Sequence, residues 1–418
     1  MEWLWSVLVR ICSFINCISI GGTGNTEGYI IYQYLTISMM KFLSHIFVKI
    51  LLLRHIVNTA AWVFRASGQV YCACWSEAFA TWTTTGWSNM NDTRLLLALD
   101  FGGTKHTAAL ARQGERAWLG RRQQAAPPRA DAAADVTIMR ALARELLAAH
   151  PGRLAAIGVS FGGPVDFARG LVRLSHHVPG WENWPLRDQL HAEFGVPVSV
   201  DNDANLGALG EWRFGAGQVE TRHVEMQHAA SLLYITVSTG VGGGWVLDGR
   251  IYHGAEGMAG EIGHTIVDPN GPECICGRRG CVEILACGPA IARRARERLE
   301  AEPSAGAHLR ELIQNDFSAL TAEHVSRAAM EGDALAEEVL LAAARDLGTG
   351  IGNALSLMNP QRVVLGGGVT KSGEAWWAEV RRAARANTLP EISVDIVPAA
   401  LGDDAPLWGA LALAESLL

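Results

Sequence analysis

Lysine nearly vanishes from this chain after its first quarter: from Arg94 to Leu418 only Lys105 and Lys371 carry an ammonium group. The net charge is −7, so no basic face is on offer to a nucleic-acid backbone. Ahead of Arg94 the only cationic side chains are Arg10, Lys41, Lys49, Arg54 and Arg65, without a helix-turn-helix layout and its basic recognition helix. A convincing membrane span is also missing. Of two apolar stretches, Trp3 to Ile20 and Met40 to Phe64, the second is interrupted by Lys49, Arg54 and His55. The first reads as a signal peptide or an anchor, yet no small-residue cleavage pattern follows it. Cys72-Ala73-Cys74 has no partner ligands nearby.

What is present changes character along the chain. Residues 1 to about 90 are rich in Ile, Trp, Ser and Thr, whereas the remainder is rich in Ala, Gly, Leu and Arg. At 418 residues the chain is long enough for two or more domains with large cores. We expect residues 1–89 to be no functional domain and the working protein to begin near Met90, with a membrane anchor as the alternative.

One stretch concentrates chemistry: Gly260-Glu261-Ile262-Gly263-His264, then Cys274-Ile275-Cys276-Gly277-Arg278-Arg279-Gly280-Cys281-Val282-Glu283. Three cysteines and a histidine fill a tetrahedral zinc shell and leave no open position, which makes the metal structural. Small buried hydrophobes are the plain alternative for such cysteines, and a disulfide suits a cytosolic chain poorly. Glu261 and His264 share a face if they lie on a helical turn, and Glu283 follows the last thiolate. Two carboxylates and an imidazole on a stiffened loop suit several hydroxyl groups, as on a sugar.

Glycine-rich turns at strand ends form the second theme. Leu95 to Leu99 leads into Asp100-Phe101-Gly102-Gly103-Thr104-Lys105, and an apolar run from Thr107 to Ala111 completes a predicted hairpin. Close-approaching backbone N–H groups, the Thr104 hydroxyl and the Lys105 charge suit a phosphate, and Asp100 would face its accompanying metal. Turn geometry alone also explains such glycines. The layout recurs at Leu232 to Val237, Ser238-Thr239-Gly240-Val241-Gly242-Gly243-Gly244 and Trp245 to Leu247, and a third run, Gly366-Gly367-Gly368, follows Arg362 to Leu365. Between Asp131 and His150 the apolar positions recur at helical spacing. A strand from Ala155 to Val159 ends in Ser160-Phe161-Gly162-Gly163-Pro164, and another reaches Asp201-Asn202-Asp203-Ala204-Asn205. There Asp201 or Asn205 reads as a helix cap and Asp203 as the general base that a phosphorylation needs. The acidic pair Asp403-Asp404 before the closing helix reads as a cap.

In order and together, these motifs resemble the ROK family of repressors, open reading frames and sugar kinases, and within it the bacterial glucokinases, from about Leu95 to the C-terminus. The resemblance implies the two-lobed, α/β actin-like ATPase fold (ribonuclease H-like, shared with hexokinases), with a cleft between lobes. It implies an N-terminal lobe at 90–206 onto which a helix at 406–418 packs back, and a C-terminal lobe at 207–405 with a zinc loop at 261–283. It assigns Asp203 as catalytic base, with Asn202, Asp203, Glu261, His264, Glu283 and Gly163 around the hexose. ATP falls to Asp100, Gly102, Gly103, Thr104, Lys105, Thr239, Gly240, Gly242, Gly243, Gly367 and Gly368, with Mg²⁺, and structural Zn²⁺ to His264, Cys274, Cys276 and Cys281. His264 would then touch both metal and sugar, as a two-nitrogen ring permits. The expected protein is a cytoplasmic homodimer or homotetramer that phosphorylates glucose. Phe161-Gly162-Gly163 departs from the family's commoner Pro-Gly in a loop that shapes the sugar pocket, so fructose, mannose, N-acetylglucosamine and N-acetylmannosamine stand as alternatives. A non-catalytic sugar-sensing regulator is the alternative from another class.

Overall fold

The structure, a computed structural model, describes residues 93–127, 131–175, 178–220 and 226–418. The expectations for residues 1–89, for Cys72-Ala73-Cys74 and for a start near Met90 lie outside the described residues.

Strands β1 (Arg94–Phe101) and β2 (Lys105–Arg112) pair antiparallel about the Gly102-Gly103 turn, and β3 (Trp118–Ala125) extends the hairpin. Helix α1 (Ala132–Ala149) starts where the Asp131 carboxylate accepts the Ala134 N–H at 2.8 Å. Strand β4 (Arg153–Phe161) lies parallel to β1; a ribbon of β5 (Val165–Asp166) and β6 (Leu171–Val172) and helix α2 (Leu186–Phe194) lead to β7 (Val198–Asn202), parallel to β4. Helix α3 (Asp203–Phe214) begins directly at the end of β7, and the ribbon of β8 (Gln218–Glu220) and β9 (Met226–His228) follows it.

The second half repeats the layout. Strands β10 (Ser231–Val237) and β11 (Val241–Leu247) form the second hairpin, edged by β12 (Arg250–Ile251). After the cysteine loop come α4 (Val282–Ala286), α5 (Gly288–Ala301), α6 (Ala307–Leu312), α7 (Ala322–Met330) and α8 (Ala334–Met358). Strand β13 (Arg362–Gly366) pairs parallel with β10; α9 (Glu374–Ala386), β14 (Ile396–Pro398), parallel to β13, and α10 (Ala405–Glu415) close the chain. The two sheets run β3-β2-β1-β4-β7 and β12-β11-β10-β13-β14. Each is a hairpin whose first strand also pairs with a parallel strand and, through it, with another.

Residues Leu95 to Leu99 read as an unbroken apolar run because both faces of the first sheet are covered. Leu95, Leu97 and Leu99 pack with Met139, Leu142 and Leu146 of α1, while Leu96 and Ala98 pack with Leu407 and Leu411 of α10. The helix comes so close that a Cβ on Gly158 would sit 1.8 Å from the Ala410 carbonyl oxygen. Helices α3 and α10 meet through glycines as well: a Cβ on Gly409 would lie 1.8 Å from the Leu206 carbonyl. The expected lobe boundary between 206 and 207 falls inside α3, a continuous helix that packs on β10 and β11 of the second sheet. Among the described residues no helix is long and apolar enough to cross a membrane.

Two expected caps are corrected. The cap of α3 is Asn202, whose side-chain oxygen accepts the N–H groups of Ala204 at 2.9 Å and Asn205 at 3.3 Å. Asp201 faces inward from β7, and Asn205 is inside the helix. Asp404 stands at the start of α10 and caps nothing. Its carboxylate instead takes two N–H groups of Arg121 at 2.7 and 2.8 Å, while Asp403 pairs with Lys371 at 3.3 Å.

Candidate active site

A cleft of about 610 Å³ opens among the two hairpin turns, the Gly162-Gly163 loop, the start of α3 and the Glu261 loop. Of the residues singled out in the sequence, Gly103, Thr104, Gly163, Asn202, Asp203, Thr239, Gly240, Gly242, Gly243, Glu261, His264 and Glu283 line it together. Asp100, Gly102, Lys105, Gly367 and Gly368 do not. Gly102 and Gly103 border a second, water-sized cavity shared with His106, Asp135 and Trp181. The Lys105 carbonyl accepts the Gly102 N–H at 3.1 Å and tightens the first turn. Gly367 packs against Val237, behind the second turn.

Asp203 is the first residue of α3, where unpaired N–H groups favour a negative charge. Its Oδ1 accepts the Ala204 N–H at 2.8 Å. Burial, with the negative charge of Asp100, nevertheless pushes its carboxyl up to about 6. Burial also lifts Asp100 above the usual carboxylate range. Next door, the Asn202 amide donates to the Gly163 carbonyl at 3.1 Å, tying the Gly162-Gly163 loop to the start of α3.

The far wall is fixed by glycine and carboxylate together. Ile262–His264 is one 3₁₀ turn with Glu261 at its head, so residues 261 and 264 fall on one side, as their spacing predicted. A Cβ on Gly263 would come 2.0 Å from the Val241 carbonyl, so only glycine lets this turn lie against β11. Glu283 accepts the Val241 N–H at 3.0 Å and locks the second hairpin turn to α4. A side chain on Gly240 would strike the same carboxylate at 2.7 Å.

Behind this wall, Cys274 Sγ lies 3.7 Å from His264 Nδ1 and Cys276 Sγ lies 3.6 Å from Cys281 Sγ. All four donor atoms fall within 4.8 Å of one another. Ligands about 2.0–2.3 Å from one tetrahedral zinc stand about 3.6–3.8 Å apart, so the four fit that ion. Burial raises the Cys274 and Cys281 thiols, and a bound cation would offset that cost of ionisation.

Sequence reasoning missed three features. The cleft also takes in Thr236, Ser238 and Met258; Arg121 braces Asp404; and His253 meets Asp201. Thr236 and Ser238 belong to the second glycine hairpin, whose pattern marks the turn but not these two side chains; Met258, Arg121 and His253 stand singly on segments without a pattern.

The pattern that defines the ROK family matches residues 96–416. A glucokinase of Halalkalibacterium halodurans is 37% identical over 280 residues, 65% of this chain and 80% of that protein. The solved structure of a ROK family glucokinase from Streptomyces griseus, in complex with glucose and AMPPNP, superposes with a TM-score of 0.66 at 33% identity. It covers 77% of this chain and 99% of that one. A xylose repressor of Caldicellulosiruptor bescii is 30% identical over 231 residues, 55% of this chain and 54% of the repressor.

Proposed function

Because the chain belongs to the ROK family and carries its actin-like α/β fold, we propose that its cleft phosphorylates glucose to glucose 6-phosphate at the expense of ATP. The observation that carries this reading is Asp203: a carboxylate lifted to about 6, at the floor of a cleft walled by two glycine hairpins and by Asn202, Glu261, His264 and Glu283.

Glucose lies against Asn202, Glu261, His264, Glu283 and the Gly163 loop, where two acceptor-rich carboxylates and an imidazole match its hydroxyls. Asp203 accepts the proton of the primary hydroxyl, whose oxygen attacks the γ-phosphorus. The bond from that phosphorus to the bridging oxygen breaks, and ADP leaves with that electron pair. The turns at Gly103-Thr104 and Thr239-Gly240, with Gly242 and Gly243, offer backbone N–H groups to the phosphates. Asp100, Gly102, Lys105, Gly367 and Gly368 support those turns and the nucleotide from outside the cleft wall. Asp100 would hold a Mg²⁺ accompanying the phosphates, and that ion would neutralise phosphate charge. His264, Cys274, Cys276 and Cys281 would hold a structural Zn²⁺ that stiffens the wall, leaving the other His264 nitrogen for the sugar.

Reduced thiols and ATP both suit the cytoplasm. The exposed apolar residues Leu357, Met358 and Leu389 favour a homodimer or homotetramer. The lobes divide near α3, with 90–206 on one side and 207–405 on the other.

The test is ATP consumption by the full chain with Mg²⁺ against glucose, mannose, fructose and the two N-acetylhexosamines. Turnover with glucose above the others supports the reading, and preference for another hexose moves the substrate. Glucose binding without any turnover would favour the regulator that likeness to the xylose repressor suggests.

A further inference from the structure

One buried carboxylate beside the base takes no part in the chemistry above. Asp201 is 1% exposed, and a carboxylate so placed must have its charge offset by donors. Its Oδ1 accepts the Asn202 backbone N–H at 2.7 Å and the Asn205 side-chain amide at 3.0 Å. Its Oδ2 faces the Nε2 of His253 at 2.6 Å, and since a carboxylate accepts, the imidazole donates there. The first two donors belong to the turn and helix that carry Asp203. The third comes from the loop after β12.

His253 is itself held on two further sides. Its ring stacks on Phe167, centroids 4.2 Å apart and planes 21° from parallel. Its backbone carbonyl accepts the Ala259 N–H at 3.0 Å. That bond closes a loop whose Gly257, Met258 and Ala259 line the cleft and which runs directly into Glu261. One imidazole therefore joins the carboxylate that orients the Asn202-Asp203 turn to the loop that delivers Glu261.

We propose that His253 and Asp201 are a positioning pair: they keep the base and the sugar-holding loop in register, and the rate of phosphoryl transfer depends on them. This rests on the sugar-kinase reading. Without the imidazole, Oδ2 is left buried and unpaired, and the end of β7 shifts to satisfy it. A displacement of about 1 Å at a reacting group costs up to about 100-fold in rate.

The experiment compares the wild-type chain with His253→Ala and His253→Gln, whose amide N–H reaches the same carboxylate. Steady-state kinetics with glucose and ATP are measured alongside the melting temperature. The pair predicts that His253→Ala lowers kcat by about 10- to 100-fold with the KM for ATP unmoved, and that His253→Gln recovers most of the loss. Equal kcat in His253→Ala and wild type overturns the pair. So does an equal loss in both variants that follows a fall in melting temperature, which is what a merely structural contact would give. A wild-type chain silent with every hexose instead overturns the kinase reading, and the role of the pair with it.

Discussion

Asp203 sits under opposed influences, and their balance sets two measurable quantities. The helix start favours its anion by about 0.3–1 kcal/mol, yet burial and Asp100 outweigh that and carry the carboxyl to about 6. A folded pKa above the unfolded one means that the native state holds the extra proton between about 4 and 6. Stability therefore falls as pH rises through that window, by no more than about 3 kcal/mol and by less where the open cleft screens the charge. Asp203→Asn should accordingly melt no lower than wild type at neutral pH, while kcat drops about 10²–10⁴-fold and glucose binding persists. In the wild-type enzyme kcat/KM should fall tenfold per unit of pH below about 6, because the base must be ionised. A flat acid limb, or near-full turnover in Asp203→Asn, would remove Asp203 from the role of base.

At the scale of elements, glycine decides which segments can touch. Gly158 lets α10 lie on β4, with the Ala410 carbonyl where a side chain would begin. Backbone cannot yield as a side chain tip can, so Gly158→Val should cost about 1–3 kcal/mol or more, read as a lower denaturation midpoint with the slope unchanged. Wild-type stability in that variant would contradict the packing of α10. The hairpins, α1 and the 3₁₀ turn at Ile262–His264 were legible because each is coded locally, by apolar period, by turn glycines or by a three-residue spacing. The α3 cap was expected at Asp201 or Asn205 and falls at Asn202, because β7 runs on to that residue and, by strand alternation, turns Asp201 inward, while Asn205 is already inside the helix. Arg121 and Asp404 lie 283 residues apart, and nothing near either one names its partner. Separation in sequence hides His253 as well, 52 residues from Asp201: the meaning of its ring comes from Asp201 and Phe167.

For the whole molecule, a metal held by the cysteine loop would link folding to affinity. Chelating the metal, or Cys276→Ser, should lower the melting temperature and raise the KM for glucose together, since metal binding is coupled to folding. Added glucose should then protect less, because ligand stabilisation follows affinity. Thermal shift with and without glucose, before and after chelation, checks this; unchanged melting and unchanged KM would mean that the cluster holds no metal. The position of α10 adds a constraint in time. Its residues are synthesised long after β1, yet Leu407 and Leu411 seal the Leu96 and Ala98 face of the first sheet. Until α10 has been made that face stays open, however early the strands pair. The first sheet thus waits for α10, and a message cut short before Ala405 yields a protein whose damage appears far upstream of the cut, at β1.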